Sequence, residues 1–293
     1  ATKFTECTLG VKYREVTEDG TVHGGPMYYL SKGLKEKGLG GLGKVLAIFF
    51  AIMCIGGSFG GGNMFQANQA AAQISGKLGL ESGAVGVIIG VIMAVIVGIV
   101  IIGGIKRIGS VTEKVVPFMA VIYVGAALVI LGMHYASIPE AFGLIYDGAF
   151  NSDAALGGVV GVLIVGFQRA AFSNEAGVGS SAIAHSAVRT KYSASEGIVA
   201  LLEPFIDTVI ICTMTALVLI ITNIEGGFID YGSNSAIGGI ELTATAFNST
   251  IPYFDWVLMV AAVLFAISTM LSWSYYGLQA WKYLFGRGKL ADT

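Results

Sequence analysis

The feature that most constrains this chain is a series of long apolar segments that carry almost no charge. Residues 83–103, for example, contain no Asp, Glu, Lys or Arg, and an α-helix needs about 20 apolar residues to cross a bilayer core. Charged residues make up 12% of the chain and hydrophobic residues 55%, whereas a soluble domain has roughly 25% charged residues. The composition therefore predicts an all-α integral membrane protein.

Six membrane spans are predicted, at about 45–73, 83–103, 116–135, 156–188, 198–222 and 254–276. They form one transmembrane helical domain, 45–288, which follows a cytoplasmic segment, 1–44, and precedes a short tail, 289–293. Apart from Lys77 and Arg169, every Lys and Arg lies before the first span, after the last span, or in the second or fourth loop. The positive-inside rule places those segments in the cytoplasm. The fourth span then runs from outside to inside.

The fourth predicted span is interrupted in its middle. Residues 157–167 are wholly apolar, but polar and charged residues follow before the small-residue segment 176–187 resumes: Gln168, Arg169, Ser173, Asn174 and Glu175. A hydrophobic segment broken in this way indicates the binding site of a transporter. A cytoplasmic loop that begins at Gln168 after a re-entrant helix stays open as an alternative, although the Lys/Arg alternation favours a full crossing.

An interrupted helix exposes backbone groups that can bind a ligand. The carbonyls of its upstream half and the N–H groups of its downstream half lose their partners, and in lipid only protein, water or ligand can replace them. The carbonyls suit a small cation or an ammonium group, and the N–H groups suit a carboxylate. We expect Ser173 or Asn174 to cap the second half-helix, with Glu175 in its first turn, and Gly177 to leave room for a small ligand.

Polar side chains of the first and last spans are further candidates. Gln66 lies next to Phe65, which would form a pocket wall. Ser268 and Thr269 supply hard hydroxyl oxygens of the kind that sodium uses, and Trp273 lies one turn inside an aromatic belt. Other roles stay open, because amides can join neighbouring helices, hydroxyls can bond their own helix, and a Trp can anchor a span at the interface.

Charged residues within the spans have expected roles, and several kinds of site are absent from the sequence. Arg169 is expected to pair with a carboxylate such as Glu175 or Asp207, while Asp207 is expected to face water near the cytoplasmic end of its span. The sequence shows no nucleophile–base set, His/Cys metal cluster, phosphate loop or nucleic-acid-binding pattern. We therefore predict no enzyme activity, no cofactor and no nucleic-acid partner.

Several motifs together resemble the alanine or glycine:cation symporter family of prokaryotes. They are Gly24-Gly-Pro-Met-Tyr-Tyr29, Gly61-Gly-Asn-Met-Phe-Gln66, Gly103-Gly-Ile-Lys-Arg-Ile108, Val116-Pro-Phe-Met119, Phe172-Ser-Asn-Glu-Ala-Gly-Val-Gly-Ser180, Asp207-Thr and Phe265-Ala-Ile-Ser-Thr269. The resemblance implies a leucine-transporter-type fold with two inverted five-helix repeats, in which helices one and six are unwound. The interrupted span then matches helix six. The chain is expected to be a fragment with helices three to eight only, lacking both ends.

The resemblance also implies a function and a set of site residues. The expected function is sodium-coupled symport of alanine or glycine into the cell by alternating access, in the inner (plasma) membrane of a prokaryote, by a lipid-embedded monomer. The alternative is a truncated fragment that does not transport. The expected substrate-binding residues are Phe65, Gln66, Ser173, Asn174, Gly177, Thr269 and Trp273. The expected sodium ligands are Ser268 and Thr269.

Overall fold

The structure is a computed structural model that describes residues 1–18, 20–79, 83–150, 163–164, 166–167, 173–228 and 239–287. Within these residues the α-helices are α1 (Thr2–Lys12), α2 (Pro26–Glu36), α3 (Gly40–Gly57), α4 (Phe65–Leu78), α5 (Gly83–Ile101), α6 (Gly104–Met133), α7 (Ile138–Phe150), α8 (Ser181–His185), α9 (Ser193–Ala200), α10 (Leu202–Pro204), α11 (Thr213–Gly226), α12 (Ile240–Thr250) and α13 (Phe254–Phe285). Two π-helical segments, π1 (Ser58–Met64) and π2 (Phe205–Cys212), and a 3₁₀ turn (Tyr135–Ser137) join some of them.

Within the described residues, five helical segments are long and apolar enough to cross a membrane. They are Gly40–Leu78, Gly83–Ile101, Gly104–Met133, Ser193–Gly226 and Phe254–Phe285. The chain is therefore a helical multi-pass membrane protein, as its composition predicts. In the fourth predicted span, 156–188, most of residues 156–172 lie outside the part of the chain that the structure describes. Several helices extend past the predicted spans, because hydropathy locates the edge of the bilayer and not the end of a helix.

The segment before the first span is folded into short elements. Helix α1 is followed by a hairpin in which β1 (Glu15–Val16) pairs antiparallel with β2 (Val22–His23). Helix α2 begins at Pro26, where a proline loses no intrahelical hydrogen bond because the first helical N–H has no partner within the helix. The hairpin is a small departure from the all-α prediction.

The last span, α13, belongs to two hydrophobic cores. Its Leu271 is wholly buried among residues of α2, α3, α4 and α5. Nearer its start, Phe254 packs with α6, α11 and α12 in a second core. The ring of Phe247 on α12 is wholly buried there, 5.3 Å from the ring of Phe254. The buried Phe247 therefore packs α12 onto the helices of the bundle.

Candidate substrate and cation site

The part of the interrupted span that the structure describes without gaps begins at Ser173, and residues 174–180 after it are non-helical. Three of them have left-handed backbone conformations, with φ of 56° at Glu175, 96° at Gly177 and 86° at Gly179. A right-handed helix cannot include such residues, and α8 begins only at Ser181. Residues 174–180 are therefore non-helical, and a full crossing of the membrane by 156–188 stays a prediction. Residues 168–172, which include Arg169 and its predicted ion pair, lie outside the described residues.

The expected capping of the second half-helix is wrong. Helix α8 begins well after Ser173 and Asn174, so neither residue caps it. The Asn174 Oδ1 instead accepts a hydrogen bond from the N–H of Ala176, at 3.0 Å, and closes a local turn. Glu175 lies in this turn and not in a helix, where it accepts a 2.6 Å hydrogen bond from the Ser180 hydroxyl. The glycines nearby allow left-handed turns to continue before the helix resumes.

The side chains of Ser173 and Asn174 contact π2. The Asn174 amide nitrogen donates to the Thr208 hydroxyl at 2.8 Å, and the Ser173 hydroxyl donates to the Asp207 carboxylate. Asp207 is half-buried, and the expectation that it faces water stays a prediction. Pro204, which has no N–H, immediately precedes π2 and cannot bond the carbonyl one turn earlier. The loosened helix widens to a π-helix, a form that is frequent at functional sites.

Trp273 is held against the π1 segment of the first span. The Ser58 hydroxyl donates a 2.7 Å hydrogen bond to the Trp273 carbonyl oxygen. A Cβ added at Gly62 would lie 2.3 Å from the Trp273 Cβ, so only glycine permits this approach. The indole also lies edge-on to Tyr276, with ring centroids 5.5 Å apart. Trp273 is therefore fixed between the first and last spans, which an interfacial anchor would not be.

Phe65 and Gln66 begin α4 directly after π1. The Phe65 side chain is 44% exposed, so its ring is available as the wall of a pocket. The Gln66 amide nitrogen lies 3.4 Å from the Gly61 carbonyl oxygen, to which it donates. That hydrogen bond joins Gln66 to the π1 segment directly before it. Phe65 and Gln66 therefore follow directly on the π1 segment that contacts Trp273.

The predicted sodium ligands lie one turn from Trp273 on α13. Ser268 is only 8% exposed, and its hydroxyl donates to the Phe265 carbonyl at 2.8 Å. This is the bond to its own helix that the sequence left open. The bond uses the hydroxyl hydrogen, so the oxygen lone pairs of Ser268 stay available to a cation. Together with the half-buried Thr269, this hard-oxygen donor set fits sodium, but further donors are needed to complete a shell.

The turn that contains Asn174 and the segment around Trp273 both contact the first span, at positions about two helical turns apart. Close to the Asn174 turn, a Cβ added at Gly179 would lie 3.5 Å from the ring of Phe50 on α3. Phe50 lies about two helical turns before Ser58, which binds Trp273. The interrupted backbone and Trp273 therefore lie along one span. Sequence reasoning missed Ser58 and Thr208 as contacts of the candidate residues.

The sequence is similar to known proteins over nearly the whole chain. The profile of the sodium:alanine symporter family matches residues 1–292. The sodium/alanine symporter AgcS of Methanococcus maripaludis is 41% identical over 98% of this chain and 61% of its own length. An uncharacterized transporter of Haemophilus influenzae is 36% identical, over 98% of this chain and 60% of its own. The uncharacterized transporter YflA of Bacillus subtilis is 37% identical, over 98% of this chain and 59% of its own.

The matched relatives are longer than this chain, which spans about six-tenths of the length of those three proteins. The match nevertheless runs through both groups of candidate residues. It confirms the predicted resemblance and the prediction of a transporter rather than an enzyme. The chain belongs to the sodium:alanine symporter family.

Proposed function

We propose that this chain carries much of the translocation site of a symporter that moves alanine or glycine into a prokaryotic cell together with sodium. The symporter would lie in the plasma membrane and work by alternating access. Family membership supports the transport class and sodium as the coupling ion. The similarity to AgcS, a sodium/alanine symporter, supports alanine as the substrate.

The observation that carries the proposal is the run of left-handed residues at Glu175, Gly177 and Gly179. Such a run takes backbone groups out of helical hydrogen bonds inside a protein of many apolar spans, where they need partners. Protein groups already meet the Asn174 carbonyl and the Gly177 N–H, through Lys3 and Glu6, so the substrate would have to use the other backbone groups of the run. A zwitterionic amino acid offers a carboxylate to free N–H groups and an ammonium group to free carbonyls. Asn174 and Ser173 lie at the start of this run and add polar side chains. We assign the backbone contacts of the substrate to it, with Gly177 leaving room for the approach.

Selection for a small side chain is assigned to the aromatic group on the first and last spans. Trp273 is fixed by π1, and Phe65 lies beside that segment with an exposed ring. A rigid ring cannot move aside for a larger substrate as readily as a loosely held one. Gln66 and Thr269 provide polar groups on the same two spans. The proposed arrangement favours alanine or glycine over amino acids with long side chains.

Sodium coupling is assigned to Ser268 and Thr269, whose oxygens lie one turn from Trp273. A leucine-transporter-type arrangement, with this chain as helices three to eight, would supply the remaining donors from unwound backbone. The proximity of cation and substrate positions on α13 would make sodium binding favour substrate binding. By linkage, alanine would raise sodium affinity by the same factor.

Uptake by the complete protein in proteoliposomes tests the proposal. Labelled alanine is expected to accumulate only when a sodium gradient is directed inward. The control replaces sodium with potassium on both sides, and unlabelled glycine is expected to compete with alanine. Equal uptake in potassium would refute sodium coupling, and no alanine uptake under either gradient would refute the proposed substrate.

Two substitutions test the assigned site residues. Asn174→Ala and Trp273→Ala are each expected to weaken alanine binding by about ten-fold or more, which corresponds to about 1.4 kcal/mol. Trp281→Ala is the matched control, because Trp281 lies on the same helix but is 44% exposed. Binding is measured by calorimetry on folded, purified protein, so that a loss of expression does not count. Wild-type affinity in both variants would remove them from the site.

A further inference from the structure

Helix α1 is fastened to the interrupted span by a buried lysine. Lys3 is only 2% exposed, and its ammonium group donates to the Asn174 carbonyl at 2.9 Å and to the Ser181 hydroxyl at 2.7 Å. It also pairs with Glu203 at 2.7 Å. Because these partners lie at both ends of the non-helical turn, the position of α1 and the shape of the turn depend on each other.

Glu6, one turn after Lys3, presents a carboxylate that the described contacts do not satisfy. The side chain is 8% exposed and accepts a hydrogen bond from the N–H of Gly177. Its second oxygen, Oε2, is buried and has no hydrogen-bond partner within the described part of the chain. The titratable groups that face Glu6 are Lys3 on α1, Tyr29 on α2 and Glu175 of the turn. A buried ionised carboxylate with an unsatisfied oxygen is costly.

The surrounding inner cluster contains more carboxyl groups than cations. Among the described residues it consists of Lys3, Glu6, Glu175, His185, Glu196 and Glu203. The His185 ring contacts two carboxyl groups, Glu196 at 2.5 Å and Glu203 at 2.7 Å, so both ring nitrogens are engaged within the cluster. Lys3 also contacts Glu203, so Glu6 and Glu175 share little of the available positive charge. The described residues contain no group of His, Cys, Asp and Glu suited to a metal ion.

We propose that Glu6 is a proton-binding site, and that its proton holds α1 in place against the turn 174–181. A neutral carboxylic acid removes the excess negative charge from the cluster and costs less to bury than a carboxylate. Burial raises the pKa of Glu6, and the hydrogen bond from Gly177 only partly opposes this. The proton thus acts as a ligand that stabilises the seated position of α1 on the proposed substrate backbone.

The sign of the pH dependence follows from linkage. Glu6 has a higher pKa when α1 is seated than when the helix is released into water. The stabilisation is therefore fully present below the pKa of the released state, and it is lost as pH rises through the pKa of the seated state. Raising the pH is expected to loosen α1, and with it the turn that Lys3 holds.

Hydrogen exchange of the complete protein tests this proposal without requiring transport, so its failure is distinct from failure of the proposed function. Exchange of α1 amides is followed by mass spectrometry from about pH 5.5 to about pH 8.5 and corrected for intrinsic exchange. In the wild type, the protection of the α1 amides is expected to fall as the pH rises. The fall is about ten-fold for each unit of difference between the pKa of Glu6 with α1 seated and its pKa with α1 released. Glu6→Gln, which is neutral at every pH, is expected to keep high protection without this dependence. Glu18→Gln, which changes an exposed carboxylate, is expected to behave like the wild type.

Two further measurements distinguish protonation of Glu6 from other causes of a pH-dependent protection. His185→Gln is expected to retain the pH dependence of protection. The proposal would be overturned if His185→Gln lost this pH dependence while Glu6→Gln kept it. Sodium chloride and choline chloride are expected to give equal protection at high pH. If sodium chloride restored the protection at high pH and choline chloride did not, the site would be assigned to a metal cation instead. Protection that does not change with pH in the wild type would also overturn the proposal.

Infrared spectroscopy keeps the proposal testable if Glu6→Gln does not fold. The wild type is expected to show the C=O stretching band of a buried, protonated carboxyl group at neutral pH, lost as the pH rises. Glu6→Asp is expected to shift that band and keep its pH dependence. A spectrum in which Glu6→Asp leaves every protonated carboxyl band unchanged would refute the assignment to Glu6.

Discussion

The hydroxyl of Ser58 donates a 2.7 Å hydrogen bond to the backbone carbonyl oxygen of Trp273. The two residues lie 215 positions apart in sequence, on the first and last described spans. On the other side of the contact, a Cβ added at Gly277 would lie 2.6 Å from the Ser58 oxygen. Ser58 is thus enclosed by one turn of α13. The orientation of Trp273 is therefore set by π1 as well as by its own helix.

Removing the Ser58 hydroxyl is expected to loosen Trp273. Ser58→Ala deletes one buried hydrogen bond, which is worth about 0.5–1.5 kcal/mol. If Trp273 limits the substrate pocket, alanine affinity falls by roughly three- to ten-fold. Ser274→Ala is the matched control, because the Ser274 hydroxyl bonds the Met270 carbonyl of its own helix. Calorimetric titration with alanine checks the prediction, and equal affinities in the two variants would contradict it.

A methyl group at Gly62 is expected to disrupt the same contact by a steric route. The added Cβ would lie 2.3 Å from the Trp273 Cβ, and overpacking of this kind costs about 1–3 kcal/mol. Gly62→Ala should therefore lower both the melting temperature in detergent and alanine uptake. Gly60→Ala lies in the same π1 segment but has open space around its Cβ. Its stability and uptake should equal or exceed the wild-type values, since alanine favours helix more than glycine does.

Sequence alone predicts the membrane spans well, because they depend on composition over many residues. A segment such as Gly83–Ile101 is apolar on all sides, so no knowledge of its neighbours is needed. The interruption after Ser173 is also predictable, since polar and glycine residues replace an apolar run. The local backbone geometry of the interruption could not be predicted. The left-handed Glu175 depends on a hydrogen bond from Ser180, which no residue pattern specifies.

The contacts between spans could not be predicted from the sequence. The glycines before Asn63 indicate a weak helix, but they do not distinguish a π-helix from a kink. Likewise, the polar stripe that contains Thr208 is visible, whereas its hydrogen bond to Asn174 depends on how two spans cross. The family resemblance gives candidate residues such as Trp273. Ser58, which holds that residue, carries no comparable sequence signal.

The contact between Asn174 and Thr208 is expected to couple the interrupted span to π2. Their side chains share a 2.8 Å hydrogen bond, so Asn174→Ala and Thr208→Val should not have additive effects. In a double-mutant cycle on alanine binding, the coupling free energy is expected to be about 0.5–1.5 kcal/mol. The control pairs Asn174→Ala with Thr112→Val, because Thr112 bonds carbonyls of its own helix. Additivity in the first cycle would show that the contact does not shape the site.

The last prediction concerns Glu15, which joins the hairpin to the chain beyond α13. Its carboxylate accepts hydrogen bonds from Arg287 and from Lys32, the latter at 3.0 Å. Burial alone would raise the pKa of Glu15, but these two partners outweigh burial and lower it.

Because its folded-state pKa is lowered, Glu15 contributes stability that is present above its unfolded pKa of about 4.3 and is lost as pH falls through the folded value. The difference in melting temperature between the wild type and Glu15→Gln should therefore stay constant near neutral pH and shrink below about pH 4. Glu18→Gln, at an exposed site of the same hairpin, should show no such change. A wild-type advantage over Glu15→Gln that persists in acid would mean that packing, and not the charge of Glu15, stabilises this contact.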